Sequence, residues 1–325
     1  MSVVYDIAII GAGPAGIATS CEAIIFGMKN ILLFEKSDNH SDTIRRYFND
    51  NKPVDKDWKG IKVDLKGHID FEDGTKESTL DLFEDALEKN LLDAKFNTEV
   101  STVKRLVDRF KVTTTTNEVY YAKSIVIAIG KMGKPNKPDY KIPSKLKSRA
   151  NHTIADCKGN EDVLVVGGGD SACEYAYFIH QDNNVTFNYR RAEITKANPK
   201  NVKNLMNCVE DGEIQAKLGV DIEKLEEEDG KFKVFYTNGD IEKYDRIIYA
   251  LGGVTPKEFL HSCCVILDEK DNPLVDEKNL NSQGIYLAGD IAGDIGGSIA
   301  LALNHGYNII KDCIKENDKL LEQSA

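Results

Sequence analysis

One local pattern occurs twice in this chain and constrains its fold more than any other feature. It consists of a short apolar strand, a glycine turn, an apolar helix and a second strand with a charged end. The first copy runs Tyr5-Asp6-Ile7-Ala8-Ile9-Ile10, then Gly11-Ala12-Gly13-Pro14-Ala15-Gly16, a helix toward Gly27, and Ile31-Leu32-Leu33-Phe34 followed by Glu35 and Lys36. The second runs Val163-Leu164-Val165-Val166, then Gly167-Gly168-Gly169-Asp170-Ser171-Ala172, a helical run from Cys173 to His180, and Val185-Thr186-Phe187-Asn188-Tyr189 followed by Arg190 and Arg191. The same spacing separates Gly11 from Glu35 and Gly167 from Arg191. In such a unit the first glycine makes a tight turn, the second lets backbone approach a pyrophosphate, and the third lets helix and strand pack closely. The helix start then offers unpaired N–H groups and a positive dipole end to phosphate. A lone glycine turn is weak evidence, but the full unit, repeated, points to two dinucleotide sites.

The charged ends separate the two copies. A carboxylate such as Glu35 accepts hydrogen bonds from ribose hydroxyls and repels a 2′-phosphate, whereas guanidinium groups bind one through charge-assisted bonds. The first turn is therefore expected to hold a dinucleotide without a 2′-phosphate, and the second NADP(H). The repeat continues downstream. Phe110-Lys111-Val112 through Glu118-Val119-Tyr120 reads as a hairpin leading into a strand that ends at Ala128-Ile129-Gly130. Phe232 to Tyr236, the turn Asn238-Gly239, and a strand ending at Ala250-Leu251-Gly252 repeat that plan, with Asn-Gly the strongest short hairpin signal. The fold class expected is α/β, with two Rossmann-like three-layer modules.

Composition narrows the function. With 42 basic and 53 acidic residues the net charge is −11, which argues against nucleic acid because phosphate neutralisation needs a clustered basic excess. The seven cysteines include no Cys-x-x-Cys, so neither a disulfide framework nor a zinc knuckle is expected. The N-terminal apolar stretch lacks a basic leader and is broken by Gly11, Gly13, Pro14 and Gly16, so neither a signal peptide nor a membrane span is expected and the cytoplasm is the expected location.

Together these motifs resemble the low-molecular-weight thioredoxin reductases and their relatives: GAGPAG at 11–16, AIG at 128–130, GGGDSA at 167–172, and Ile285-Tyr286-Leu287-Ala288-Gly289-Asp290. The resemblance spans nearly the whole chain. It implies FAD in the first module and NADPH in the second, with the second inserted in the first: residues 1–134 and 253–325 for FAD, 135–252 for NADPH. The implied cofactor-binding set is Gly11, Gly13, Pro14, Ala15, Gly16, Glu35, Lys36, Val100 and Gly130, with Gly289, Asp290, Ser298, Ile299 and Ala300 from the C-terminal part. Gly167, Gly169, Asp170, Ser171, Ala172, Arg190 and Arg191 complete it. Asp290 would bind the ribityl chain of FAD. A helix over about 299–310 would aim its N-terminus at the flavin, where a positive dipole end favours the anionic reduced form. A homodimer is also implied. Hydride transfer needs positioning more than a protein acid or base, so no catalytic residue is assigned.

The departures are informative. Thioredoxin reductases carry a Cys-x-x-Cys shortly before the second glycine motif; here that stretch is Ala150-Asn151-His152-Thr153-Ile154-Ala155-Asp156-Cys157, with one thiol. Bacillithiol disulfide reductases, a related group, place a cysteine where this chain has Ala15. What remains resembles the flavoproteins that reduce flavodoxin, ferredoxin or quinones, most of all the flavodoxin:quinone reductases. The ferredoxin-reducing branch commonly carries a C-terminal aromatic extension over the flavin, absent here, so flavodoxin or quinone is the expected acceptor. The alternatives are a disulfide reductase using Cys157 or Cys173, a ferredoxin–NADP reductase, and a flavin-bearing redox sensor.

Two segments carry further expectations. From Lys131 to Arg149 the chain is strongly basic and proline-rich, reading as a crossing loop. Lys131, Lys134, Lys137 and Lys141 form a candidate docking strip for an acidic electron carrier, since steering depends on a patch rather than net charge. Tyr47, Phe48 or Trp58 is a candidate to cover the flavin, and His305 reads as a structural histidine near it.

Overall fold

The computed structural model describes residues 3–57, 62–90, 92, 94–131, 135–253, 256–293 and 297–324, with side chains described through 315. The chain divides into two compact units, 1–133 with 255–325, and 134–254.

In the first unit, β1 (Val4–Ile10) leads through the glycine turn into α1 (Pro14–Ile25) and back to β2 (Ile31–Phe34). Next come α2 (Asp42–Tyr47), the short pair β3 (Pro53–Val54) and β4 (Gly74–Thr75), α3 (Lys76–Lys89) and β5 (Ala94–Lys95). β6 (Val100–Arg105), β7 (Phe110–Thr114) and β8 (Val119–Ile127) close this stretch. The sheet order is β5-β2-β1-β8-β7-β6, with β1 parallel to both β2 and β8. From Ile7 to Ile10, β1 is apolar without alternation because both of its faces are covered there. Ile7 and Ile9 join the core with Ala15, Ile17 and Leu303, while Ala8 and Ile10 join the opposite core with Phe110, Val112 and Leu287. The hairpin and strand read separately in the sequence form one continuous β8. Its first residues pair antiparallel with β7 while it runs parallel to β1.

The second unit repeats the plan with β9 (Ala150–Asn151), β10 (Asp162–Val166), α4 (Asp170–Ile179), β11 (Asn184–Tyr189), α5 (Pro199–Glu210) and β12 (Ile214–Leu218). β13 (Ile222–Glu228), β14 (Lys231–Tyr236), β15 (Ile241–Tyr244) and β16 (Arg246–Tyr249) follow. The parallel sheet runs β12-β11-β10-β16-β9, and β13-β14-β15 forms a separate antiparallel layer. Here the chain does break between the last two strands. Asp245 turns it by donating its N–H to Asp162 O at 2.8 Å and accepting from Asp162 N at 3.0 Å. The buried Arg246 beside it is held by both oxygens of Glu161, at 2.7 and 3.0 Å.

On returning to the first unit, the chain forms α6 (Lys257–Ser262), β17 (Tyr286–Leu287) and α7 (Ile299–Ser324). β17 extends the first sheet by pairing with the end of β8. α7 runs well beyond the expected stretch ending near Ile310, because no proline or capping glycine interrupts the amphipathic residues that follow. It packs on α1 at Gly306, where a Cβ would lie 2.6 Å from Thr19 N and 2.9 Å from the Ala18 backbone carbon. Among the described residues no helix is long and apolar enough to cross a membrane.

Candidate functional site

The first glycine turn is shaped by close backbone contacts. Gly11 has φ +106° and donates to Phe34 O at 2.7 Å, and a Cβ there would lie 2.6 Å from Ala128 O. A Cβ on Gly16 would collide with Gly11 O. Gly13 differs: it starts α1 in an extended conformation, no side chain caps the helix, and a Cβ there would meet nothing within 4 Å. With Pro14 in the first turn of α1 and no acidic residue there, the helix start presents N–H groups to open space, the arrangement that receives a phosphate. Gly130, at φ +66°, likewise faces open space.

Glu35 is buried at the end of β2. Its Oε2 accepts from Ala12 N at 2.8 Å and its Oε1 from Ser37 N at 2.9 Å. The carboxylate thus lies against the glycine turn, each oxygen keeping a lone pair for a further donor. Ser41 donates to Ala12 O at 2.8 Å, so the loop after β2 also grips the turn. Lys36 is exposed. Val100 buries its side chain in the core beside Phe34, just beyond a segment tied back by Thr98 N donating to Glu35 O at 2.8 Å.

The C-terminal motif folds over the same turn. Gly289 has φ +73°, and a Cβ there would press on the Ala15 methyl at 3.0 Å. Asp290 Oδ1 accepts from Gly297 N at 2.9 Å. The buried Ser298 caps α7 through Oγ, which accepts from Leu301 N at 3.2 Å, leaving the N–H groups of Ile299 and Ala300 at the helix start. Gly289 N donates to His305 Nδ1 at 3.1 Å. Burial pulls the His305 pKa below its usual value, against the field of Asp290 and aided by Lys66. The ring is therefore neutral, with its proton on Nε2. Lys131, read in the sequence as part of a docking strip, is instead half-buried. Its ammonium donates to Gly293 O at 2.7 Å and Asn272 Oδ1 at 3.1 Å, tying the loop after Gly130 to the one after Asp290.

The second unit builds a matching turn. Gly167 donates to Asn188 O at 3.0 Å, and a Cβ there would collide with Ala250 O, as Gly11 would with Ala128 O. Gly169 begins α4 as Gly13 begins α1: extended, uncapped, with open space where a Cβ would stand. Tyr189 lies so close to Gly168 that a Cβ would enter its ring. Ala172 is buried and Ser171 exposed. The Asp170 carboxylate accepts from Asn198 N at 2.5 Å and Asn201 Nδ2 at 2.9 Å, so its side chain anchors the loop before α5. Arg190 and Arg191 are exposed just past β11, and neither forms an ion pair with a described residue.

The sequence profile of the pyridine nucleotide-disulphide oxidoreductases matches residues 8–289. The chain belongs to that family. A ferredoxin–NADP reductase of Thermus thermophilus is 28% identical over 242 residues, 66% of this chain and 70% of the relative. A thioredoxin reductase of Helicobacter pylori is 30% identical over 210 residues, 60% of each chain. The solved structure of a bacillithiol disulfide reductase from Bacillus cereus aligns with a TM-score of 0.81 at 22% identity, covering 97% of this chain and all of that one; at that identity the likeness shows the fold. Membership implies FAD and NADPH as cofactors, and the two open, uncapped helix starts fit dinucleotides.

The two cysteines singled out for disulfide chemistry, Cys157 and Cys173, are not activated thiols. None of the seven cysteines is in a disulfide. Burial pushes the Cys173 thiol up to about 12, with Asp170 and Glu174 adding to it. Burial also raises Cys157 to about 11 against the pull of Arg246. The buried Cys263 is likewise raised to about 11, while its neighbour Cys264 is exposed.

Of the remaining expectations, Phe48 packs against the first core and carries Lys52 Nζ 4.0 Å above its ring, which makes it a packing residue. Trp58 and Lys134 lie outside the described residues. Within the basic stretch, Lys145 pairs with Glu227 and Arg149 donates to Gly230 O, while Lys137 and Lys141 are exposed. The sequence reading missed Ser37, Ser41 and Gly306. An isolated glycine inside a helical pattern was the available signal for Gly306; the two serines carry none.

Proposed function

We propose that this chain oxidises NADPH and passes the electrons from FAD to a flavodoxin or a quinone without a thiol relay. The observation that carries the reading is the state of the thiols: two nucleotide cradles are built, yet neither candidate relay cysteine has a partner thiol in the sequence, Cys173 is buried and Cys157 half-buried, and burial raises the pKa of both. A protonated thiol is a poor nucleophile. In this reading the start of α1 at Gly13 and Pro14 holds the FAD pyrophosphate, with Ala15 and Gly16 setting the helix close to the strand. Glu35 holds the ribose, and Lys36 and the backbone at Val100 border it. Gly130, Gly289, Asp290, Ser298, Ile299 and Ala300 bound the rest of that site. Gly167, Gly169, Ser171 and Ala172 shape the NADPH pyrophosphate turn, Asp170 braces it, and Arg190 and Arg191 bind the 2′-phosphate. Bound FAD supplies the chemistry of taking a hydride and releasing electrons to an acceptor. His305 fixes the Gly289 turn and moves no proton.

The relatives named ferredoxin–NADP reductase support a small electron-carrier protein as the partner. Lys137 and Lys141 are the exposed cations that would meet an acidic carrier. The test is an acceptor panel at one NADPH concentration, comparing flavodoxin, ferredoxin, a quinone and a disulfide. Turnover highest with flavodoxin or quinone is expected. Turnover dominated by ferredoxin would transfer the reading to that carrier, and turnover confined to a disulfide would overturn it.

A further inference from the structure

Three side chains from separate positions converge where α4 and α5 end. His180 follows the last residue of α4, Cys208 lies in the last turn of α5, and Glu213 stands just before β12. Their ligand atoms all lie within 4.8 Å of one another. His180 Nε2 is 3.8 Å from Cys208 Sγ and 3.3 Å from Glu213 Oε2. A tetrahedral zinc ion, with Zn–S about 2.3 Å and Zn–N or Zn–O about 2.0–2.1 Å, sets S and N about 3.6 Å apart and N and O about 3.3 Å apart. The observed spacing matches that geometry.

The hydrogen-bond pattern points the same way. His180 Nδ1 lies 2.5 Å from Tyr177 O, a carbonyl that only accepts, so Nδ1 carries a proton and the ring is held with Nε2 turned toward the Glu213 carboxylate and the Cys208 thiol. A backbone carbonyl on the far nitrogen is the usual orienting partner of a metal-bound histidine. Thiolate, imidazole and carboxylate together suit zinc over magnesium or calcium.

We propose that His180, Cys208 and Glu213 bind one zinc ion, with water as the fourth ligand and the Cys208 proton released to solvent. The glycine turn lies at the other end of α4, about 15 Å away along ten residues of helix. The ion therefore clamps α4 to α5 and takes no part in hydride transfer.

The test uses the FAD-loaded Cys264→Ser protein, which removes the exposed thiol, after chelator treatment. Titration with Co2+ should give one ion per chain with a thiolate-to-cobalt charge-transfer band, displaced by Zn2+. Cys208→Ser should abolish the band, and His180→Gln and Glu213→Gln should weaken binding at least tenfold, while Zn2+ raises the Tm only where all three residues are present. FAD absorbance checks that each variant is folded. A parent protein that binds no Co2+, or binds it without the thiolate band, overturns the proposal; so does equal affinity in a folded Cys208→Ser protein. An ion pair between a charged His180 and Glu213 gives the first of these outcomes.

Discussion

Gly289 donates its backbone N–H to His305 Nδ1 at 3.1 Å, so a neutral imidazole on α7 holds the turn that carries Asp290. Protonating the ring removes that acceptor. Burial depresses the His305 pKa below its unfolded value of about 6.5, and His40 is shifted the same way, burial again first. As pH falls below about 6.5 the unfolded chain takes up these protons before the folded one, so stability falls with it. The Tm should drop between pH 7 and 5.5, above the range where carboxylates titrate, and the drop should be shallower in His305→Gln. Thermal melts followed by FAD release check this; equal slopes would show that His305 does not set the dependence.

Gly306 and Gly13 should respond oppositely to alanine. At Gly306 a Cβ meets α1 backbone at 2.6 Å, which neither helix relieves without moving. Overpacking of this kind costs about 1–3 kcal/mol, or about 2–4 °C in Tm per kcal/mol for a unit this size. At Gly13 the Cβ enters open space, so Gly13→Ala should leave the cofactor-free protein within about 1 kcal/mol of wild type. It should nonetheless weaken FAD binding, because the methyl occupies the cradle. Melting of the cofactor-free proteins and FAD titration separate the two effects.

Arg190 and Arg191 are exposed and without ion pairs to described residues, leaving both guanidinium groups for a ligand. Each charge-assisted bond to a phosphate is worth about 1.5–3 kcal/mol, roughly one to two decades in affinity. Replacing both by alanine should raise KM for NADPH at least tenfold and leave KM for NADH nearly unchanged. Steady-state kinetics with each nucleotide decides this.

The thiols offer a direct contrast. At pH 7.5 an alkylating reagent should label the exposed Cys264 first and spare Cys21 and Cys173, both pushed up to about 12 mainly by burial. Turnover with a carrier protein should survive Cys157→Ser combined with Cys173→Ser. Peptide mass spectrometry and the turnover rate test both statements, and a loss of turnover in a folded double variant would restore a thiol mechanism.

Both glycine turns, their flanking strands and helices, and the repeated hairpins were legible in the chain because each depends on local spacing. Glycine at Gly11 and Gly167 answers to a strand end a few residues before Gly130 and Gly252, and the Ala-x-Gly pattern marked both. Legibility failed where a long-range partner decides. Lys131 is one cation in a basic run until Asn272 and Gly293 O are brought to it. Asp170 reads as a phosphate-turn residue until Asn198 and Asn201 claim its carboxylate.

The sequence alone determined the α/β class, the two dinucleotide turns, the opposite charges at Glu35 and Arg190-Arg191, and the lack of a Cys-x-x-Cys. Those follow from periodicity and from which groups a few neighbouring residues present. Tertiary structure alone decided that burial raises the Cys157 and Cys173 pKa values, that His305 braces Gly289, and that His180, Cys208 and Glu213 meet. Desolvation and convergence depend on which distant segments cover or approach a side chain, and no spacing along the chain encodes that.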